Sequence, residues 1–205
     1  SSYAFASEDL IVFSHIEHGI STLGTLDVRS GKYDPIDCPY TDIQYLKAAN
    51  GHVVFRGGSP TDVTSIAKLD LDTGQFHTLR RSNDLETYPR YFSVPRAIEF
   101  PTEGGLIAHG FFYPPQNPDY RAPENEKPPL IVKSHGGPTA SASTALSLSV
   151  QYWTSRGFAV LDVNYGGSTG YGRQYRERLN KKWGLVDVDD CVNGARYLAE
   201  RGEVD

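Results

Sequence analysis

The sequence predicts an α/β domain preceded by an all-β segment, on three observations. Residues 1–92 are short apolar strands broken by turn residues, and one strand–turn–strand unit recurs. Beyond Ser93–Pro95 the order changes to strand, turn, helix, strand. Two turns of that second part are rich in glycine: Leu130-Ile-Val-Lys-Ser-His-Gly-Gly-Pro138 and Asn164-Tyr-Gly-Gly-Ser-Thr-Gly-Tyr-Gly172.

The repeat comes first along the chain. Leu26-Asp-Val-Arg-Ser-Gly-Lys-Tyr33 and Leu69-Asp-Leu-Asp-Thr-Gly-Gln-Phe76 align position by position, 43 residues apart. Each reads as a strand, a tight turn closed by Gly, and a second strand that opens on an aromatic. Apolar runs precede both units, Leu10–Ser14 and His52–Arg56. Short strands at this period are the pattern of β-propeller blades, which repeat at about 40–50 residues. Residues 1–92 are therefore expected to form about two blades of a partial propeller. A small antiparallel sandwich is the alternative.

Residues 93–100 read as a linker entering a strand, Gly104-Gly105 as a hairpin turn, and Leu106–Tyr113 as the returning strand. Pro114–Pro129 reads as an exposed loop. Leu130-Ile-Val132 is wholly apolar, as a strand buried on both faces would be. Ser141–Arg156 is predicted helical, with Leu146, Val150, Trp153 and Thr154 as its apolar stripe and Gly157 as its cap. Phe158–Val163 is the next buried strand. Tyr171–Leu179 and Val188–Arg201 are further helices, the second with acidic residues at its start and Gly202 at its end. Another strand is expected after Asp205.

Composition bounds the partners. The chain has 205 residues, 39% apolar and 22% charged, enough for one or two globular domains. Net charge is −5 and Lys and Arg are scattered, so no nucleic-acid partner is expected. No apolar run approaches about 18 residues, and no membrane partner is expected. Cys38 and Cys191 lack metal or disulfide spacing, which favours a reducing compartment and a cytoplasmic location. Neither a metal nor a cofactor is expected. The chain has no Met and opens without a signal peptide; an N-terminal cut is expected.

The chemistry lies in the glycine-rich turns. His135-Gly-Gly-Pro138 follows a strand and precedes a helix, where outward-turned N–H groups can receive a developing oxyanion. Gly137 is the candidate donor. His135 reads as a structural histidine bonding its ring to the loop. Gly166-Gly-Ser-Thr-Gly170 fits G-x-S-x-G, the form of a nucleophile elbow. In the α/β-hydrolase fold, however, the histidine follows the serine. All six histidines here precede Ser168. Ser168 is therefore read as structural, as are Asp187, Asp189 and Asp190, which cap a helix start. Tyr165, Tyr171 and Trp183 read as packing.

These segments together resemble the prolyl oligopeptidase family of serine peptidases, in its acylaminoacyl-peptidase and dipeptidyl- or aminopeptidase branch. The likeness runs from about Val94 to Asp205. Its carriers are Ser93-Val-Pro95 through Phe112-Tyr-Pro114, His135–Pro138, Asn164–Gly172, Trp183-Gly184 and Asp187-Val-Asp-Asp-Cys-Val192. The resemblance implies an α/β-hydrolase domain over 93–205 whose Ser, Asp and His lie C-terminal to Asp205, with Gly137 carried over as oxyanion donor. It implies short peptide substrates and leaves a homo-oligomer open. The family commonly has Arg where Gly166 stands, so a more flexible loop is expected there. A carboxylesterase of the same fold and a non-catalytic propeller interaction module are the alternatives.

Overall fold

A computed structural model describes residues 2–84, 88–123, 125–137 and 139–205; Ser1 and Pro138, both used above, lie outside the described residues. The chain divides into two units. One comprises Ser1–Thr87 with Thr144–Leu146, the other Tyr88–Ser143 with Ser147–Asp205.

The first unit holds two four-stranded antiparallel sheets. Strands β1 (Ser2–Phe5), β2 (Leu10–Glu17), β3 (Ile20–Asp27) and β4 (Tyr33–Ile36) pair in chain order. Strands β5 (Asp42–Ala49), β6 (His52–Gly58), β7 (Ser65–Asp70) and β8 (Phe76–Arg81) repeat the arrangement. The repeated octapeptides form the β3–β4 and β7–β8 turns, and their hydrogen bonding is the same. Asp27 Oδ1 accepts from the N–H and hydroxyl of Ser30, both at 2.7 Å. Asp70 Oδ1 accepts from the N–H and hydroxyl of Thr73, at 2.9 and 3.0 Å. Gly31 and Gly74 both have φ +70°, which explains the glycine. One core of Val12, Leu23, Ile43, Leu46, Val53, Phe55, Ala67 and Leu69 lies under both sheets.

These turns give a first prediction. The Ser30 hydroxyl holds the Asp27 carboxyl below the usual range, and the Thr73 backbone N–H and hydroxyl do the same for Asp70. A depressed folded pKa adds stability above the unfolded value of about 3.9 that is lost as pH falls through the folded value. Ser30→Ala and Thr73→Ala are expected to raise the respective carboxyl midpoints in an NMR titration. Unmoved midpoints would refute the equivalence of the two turns.

The second unit is built on a mixed sheet of order β11-β12-β10-β9. Strands β9 (Arg96–Thr102) and β10 (Leu106–Tyr113) form an antiparallel hairpin through Gly104 and Gly105, both with positive φ. Strand β11 (Leu130–Ser134) runs parallel to β12 (Ala159–Asn164), as a crossover connection requires. Every residue of β12 is buried. Helix α3 (Val186–Glu200) packs on one face, over a core of Ile98, Phe100, Ala108, Leu161, Val163 and Leu198.

Four expectations are corrected. Strand β11, expected to be buried on both faces, pairs with β12 alone among the described residues, and Val132 to Ser134 are exposed. The helix expected over Ser141–Arg156 is only α1 (Leu148–Thr154). Residues 144–146 are committed elsewhere: Leu146 donates its N–H to the Ser59 carbonyl at 2.7 Å, and Thr144 its hydroxyl to Thr41 at 2.7 Å. The face that α1 buries is Val150, Gln151 and Thr154, while Trp153 is exposed. Helix α2 shrinks to Arg173–Glu177, and α3 begins two residues early, which moves Asp190 from its start into its body.

Gln151 has a further role. Its amide accepts from the Ser93 N–H at 2.7 Å and donates to the Ser93 carbonyl at 3.1 Å. Ser93 also donates its hydroxyl to the Pro114 carbonyl at 2.6 Å. The linker residue singled out by sequence is thus pinned to α1 and to the end of β10.

Candidate active site loop

The chain leaves β11 at Ser134 and turns through His135, Gly136 and Gly137 at the carboxyl end of the parallel pair. Gly137 is exposed with φ +57°, and nothing lies within 4 Å of where its Cβ would be. Its carbonyl accepts from the Ala140 N–H at 3.1 Å. Among the described residues its own N–H donates to no acceptor. That leaves an open backbone donor on a strand-to-helix turn.

His135 anchors the loop through its ring. The imidazole stacks on Tyr165, with centroids 4.4 Å apart. Its Nε2 lies 2.6 Å from Ser168 Oγ, and its Nδ1 lies 3.3 Å from both the Gly136 carbonyl and the Tyr165 hydroxyl. Burial lowers its pKa. A neutral ring suits this setting: Nδ1–H donates to Gly136 and Nε2 accepts from Ser168.

The second glycine-rich loop is therefore tied to the first. The order of residues along the chain did not reveal that Ser168 and His135 meet. The pair is nonetheless poorly placed for nucleophilic attack. Ser168 is fully buried, and no carboxylate among the described residues hydrogen-bonds the imidazole. The expected consequence is that Ser168→Ala leaves fluorophosphonate labelling of the full-length protein unchanged. Labelling abolished by this change would make Ser168 the nucleophile.

Asp190 does not cap the helix start as expected. It is buried, accepting from the Gly166 N–H at 2.7 Å and from the Thr102 hydroxyl at 2.5 Å. Burial pushes its pKa up, against the pull of those two donors. Asp187 does act at the helix start, accepting from the Gly184 N–H at 2.7 Å. Gly166 is not loose either. A Cβ there would sit 2.9 Å from Val186 Cγ1 and 3.1 Å from Arg178 Cδ, so the Arg178 stem fills the space beside this glycine. Tyr171 stacks on His109 with centroids 4.3 Å apart and donor Asn164 Nδ2 3.0 Å from its hydroxyl; burial pushes its pKa up to about 12. Trp183 is exposed rather than packed.

Sequence reasoning passed over Lys133 and Asp162. Lys133 Nζ lies 2.6 Å from Asp162 Oδ2, directly upstream of the His135 loop. The available signal was a lone carboxylate inside an otherwise apolar strand, Phe158-Ala-Val-Leu-Asp-Val163. No group of metal-ligand type gathers among the described residues. No described helix is long and apolar enough to cross a membrane.

Residues 144–205 match the model of the prolyl oligopeptidase family. Over that stretch the chain is similar to members of the prolyl oligopeptidase family. A Mycobacterium tuberculosis puromycin-hydrolysing peptidase is similar over 99% of this chain, at 41% identity and a TM-score of 0.94. Dipeptidyl aminopeptidase BIII of Pseudoxanthomonas mexicana is 28% identical over 121 residues, 59% of this chain. An acylamino-acid-releasing enzyme of Arabidopsis thaliana is 37% identical over 86 residues, 42% of this chain. The match covers 32% of the mycobacterial chain, and 15% and 11% of the two curated relatives.

Proposed function

We propose that this chain is part of a serine peptidase that hydrolyses amide bonds in short peptides. In this reading residues 1–92 are the last two blades of a propeller. Residues 93–205 begin an α/β-hydrolase domain, and the catalytic Ser, Asp and His lie C-terminal to Asp205. The Gly137 N–H contributes to the oxyanion hole, donating to the oxygen as the scissile carbonyl becomes tetrahedral. The observation that carries the reading is the open donor of Gly137, held at the carboxyl end of β11 by the His135 anchor. Two four-stranded antiparallel meanders with the same turn fit the blades. The likeness to a puromycin-hydrolysing peptidase extends over nearly the whole chain and supports action on a bond next to a free α-amino group.

The test is a substrate panel given to the full-length protein: puromycin, free short peptides and their N-acetylated forms. Aminopeptidase action requires cleavage of puromycin and free peptides, with the acetylated forms inert and activity abolished by a fluorophosphonate. Cleavage of the acetylated forms alone would replace it by acylaminoacyl release. Hydrolysis of simple esters only would replace it by esterase action.

A further inference from the structure

We infer that Lys133 and Asp162 are a positioning pair that sets the reach of the Gly137 N–H without touching substrate. The inference rests on the oxyanion reading of Gly137.

Lys133 and Asp162 are register partners on the parallel strands β11 and β12. Asp162 is only 4% exposed and sits among Val160, Leu161 and Val163 on a strand with no other charge. One of its oxygens takes the Lys133 ammonium at 2.6 Å; the other, Oδ1, has no partner among the described residues. Burial pushes the carboxyl pKa up, and the lysine pulls it back. A half-satisfied buried carboxylate is a poor way to stabilise a strand, since an apolar residue of similar volume is often neutral or better. Stability therefore does not explain the pair.

Its place does. Lys133 lies two residues before His135, where the chain leaves the sheet. The ion pair fixes the stem of the loop against β12. The stacking of His135 on Tyr165 and its bond to Ser168 fix the next step. Gly137 then follows two residues from an anchored ring. The ionisable groups facing Asp162 are Lys133 from β11, His135 from the loop, Tyr113 from β10 and Cys191 from α3. The loop is thus held by one charge pair at its stem and one aromatic stack at its turn.

Misplacing a catalytic group by about 1 Å can cost on the order of 10²-fold in rate. In the full-length protein, Asp162→Asn and Lys133→Met are expected to lower kcat by between about tenfold and 10²-fold. KM should stay within about twofold, because ground-state binding is untouched. Lys133→Arg should retain most of the turnover. The double variant Lys133→Met with Asp162→Leu removes the pair without leaving a buried charge. It should melt at or above the parent temperature yet keep the low kcat. A double variant with parental kcat would overturn the inference, as would single variants that raise KM instead. Gly137→Pro separates the two levels. If it leaves turnover intact, the oxyanion reading fails and takes this inference with it. If it abolishes turnover while the pair variants match the parent, only the positioning role fails.

Discussion

Gly137→Pro in the full-length protein is expected to lower turnover by about 10²–10³-fold, or roughly 2.7–4 kcal/mol, the usual cost of losing one oxyanion donor. Proline has no N–H, and backbone donors cannot be removed by shortening a side chain. It also fixes φ near about −65°, whereas Gly137 sits at +57°. The loop must therefore change shape as well as lose its donor. Gly137→Asn isolates the second effect. Asparagine visits the left-handed region more readily than most residues and keeps the N–H. The space beside Gly137 is open: an added Cβ meets nothing within 4 Å. Turnover of the Asn variant should stay near the parent, and affinity for a ground-state inhibitor should be near normal in both. A folded Pro variant that keeps turnover within about threefold, against that 10²-fold expectation, makes Gly137 a turn residue only.

The strands and turns were legible where a local rule decides them. The Asp-x-x-Ser/Thr-Gly turn needs one glycine and one short acceptor, and both copies fold alike. Strand β12 was legible because a wholly apolar run between turns has few other homes. Strand β11 carries a similar run, but among the described residues it pairs with β12 alone, because a strand's burial depends on neighbours that a local run does not display. The same holds for the helix expected at Ser141. Its first residues have helical spacing, but Leu146 and Thr144 find partners around Thr41 and Ser59, about a hundred residues earlier in the chain. At the site, the glycines announced themselves and their supports did not. Nothing local pairs His135 with Ser168, Lys133 with Asp162, or Asp190 with Gly166. The first two are contacts between β11 or its loop and the β12 side of the parallel crossover, and the third joins α3 to the loop after β12.

Phe100→Ala is expected to cost the second unit about 3–5 kcal/mol, the range for a large aromatic removed from a packed core. Phe100 is 1% exposed, pairs with Ala108 across the β9–β10 hairpin, and faces helix α3. The helix meets it with a glycine: a Cβ on Gly194 would lie 3.0 Å from Phe100 Cζ and 2.8 Å from Leu161 Cδ2. Gly194 is thus the hole into which the Phe100 ring and the Leu161 side chain fit. Gly194→Leu in the parent should overpack this contact and cost about 1–3 kcal/mol. The two changes share one space and should not add. With the ring gone, a leucine at position 194 fills part of the cavity and replaces a poor helix former by a good one, a gain of up to about 1 kcal/mol. The double variant should therefore be more stable than Phe100→Ala alone, although each single change destabilises. Amide hydrogen exchange at Leu161 and Val163, in the middle of β12, reads the local stability directly. Protection lost by less than about 1 kcal/mol in Phe100→Ala, well under the expected range, or strictly additive losses in the double variant, would show that the ring and the helix glycine are not packed as one contact.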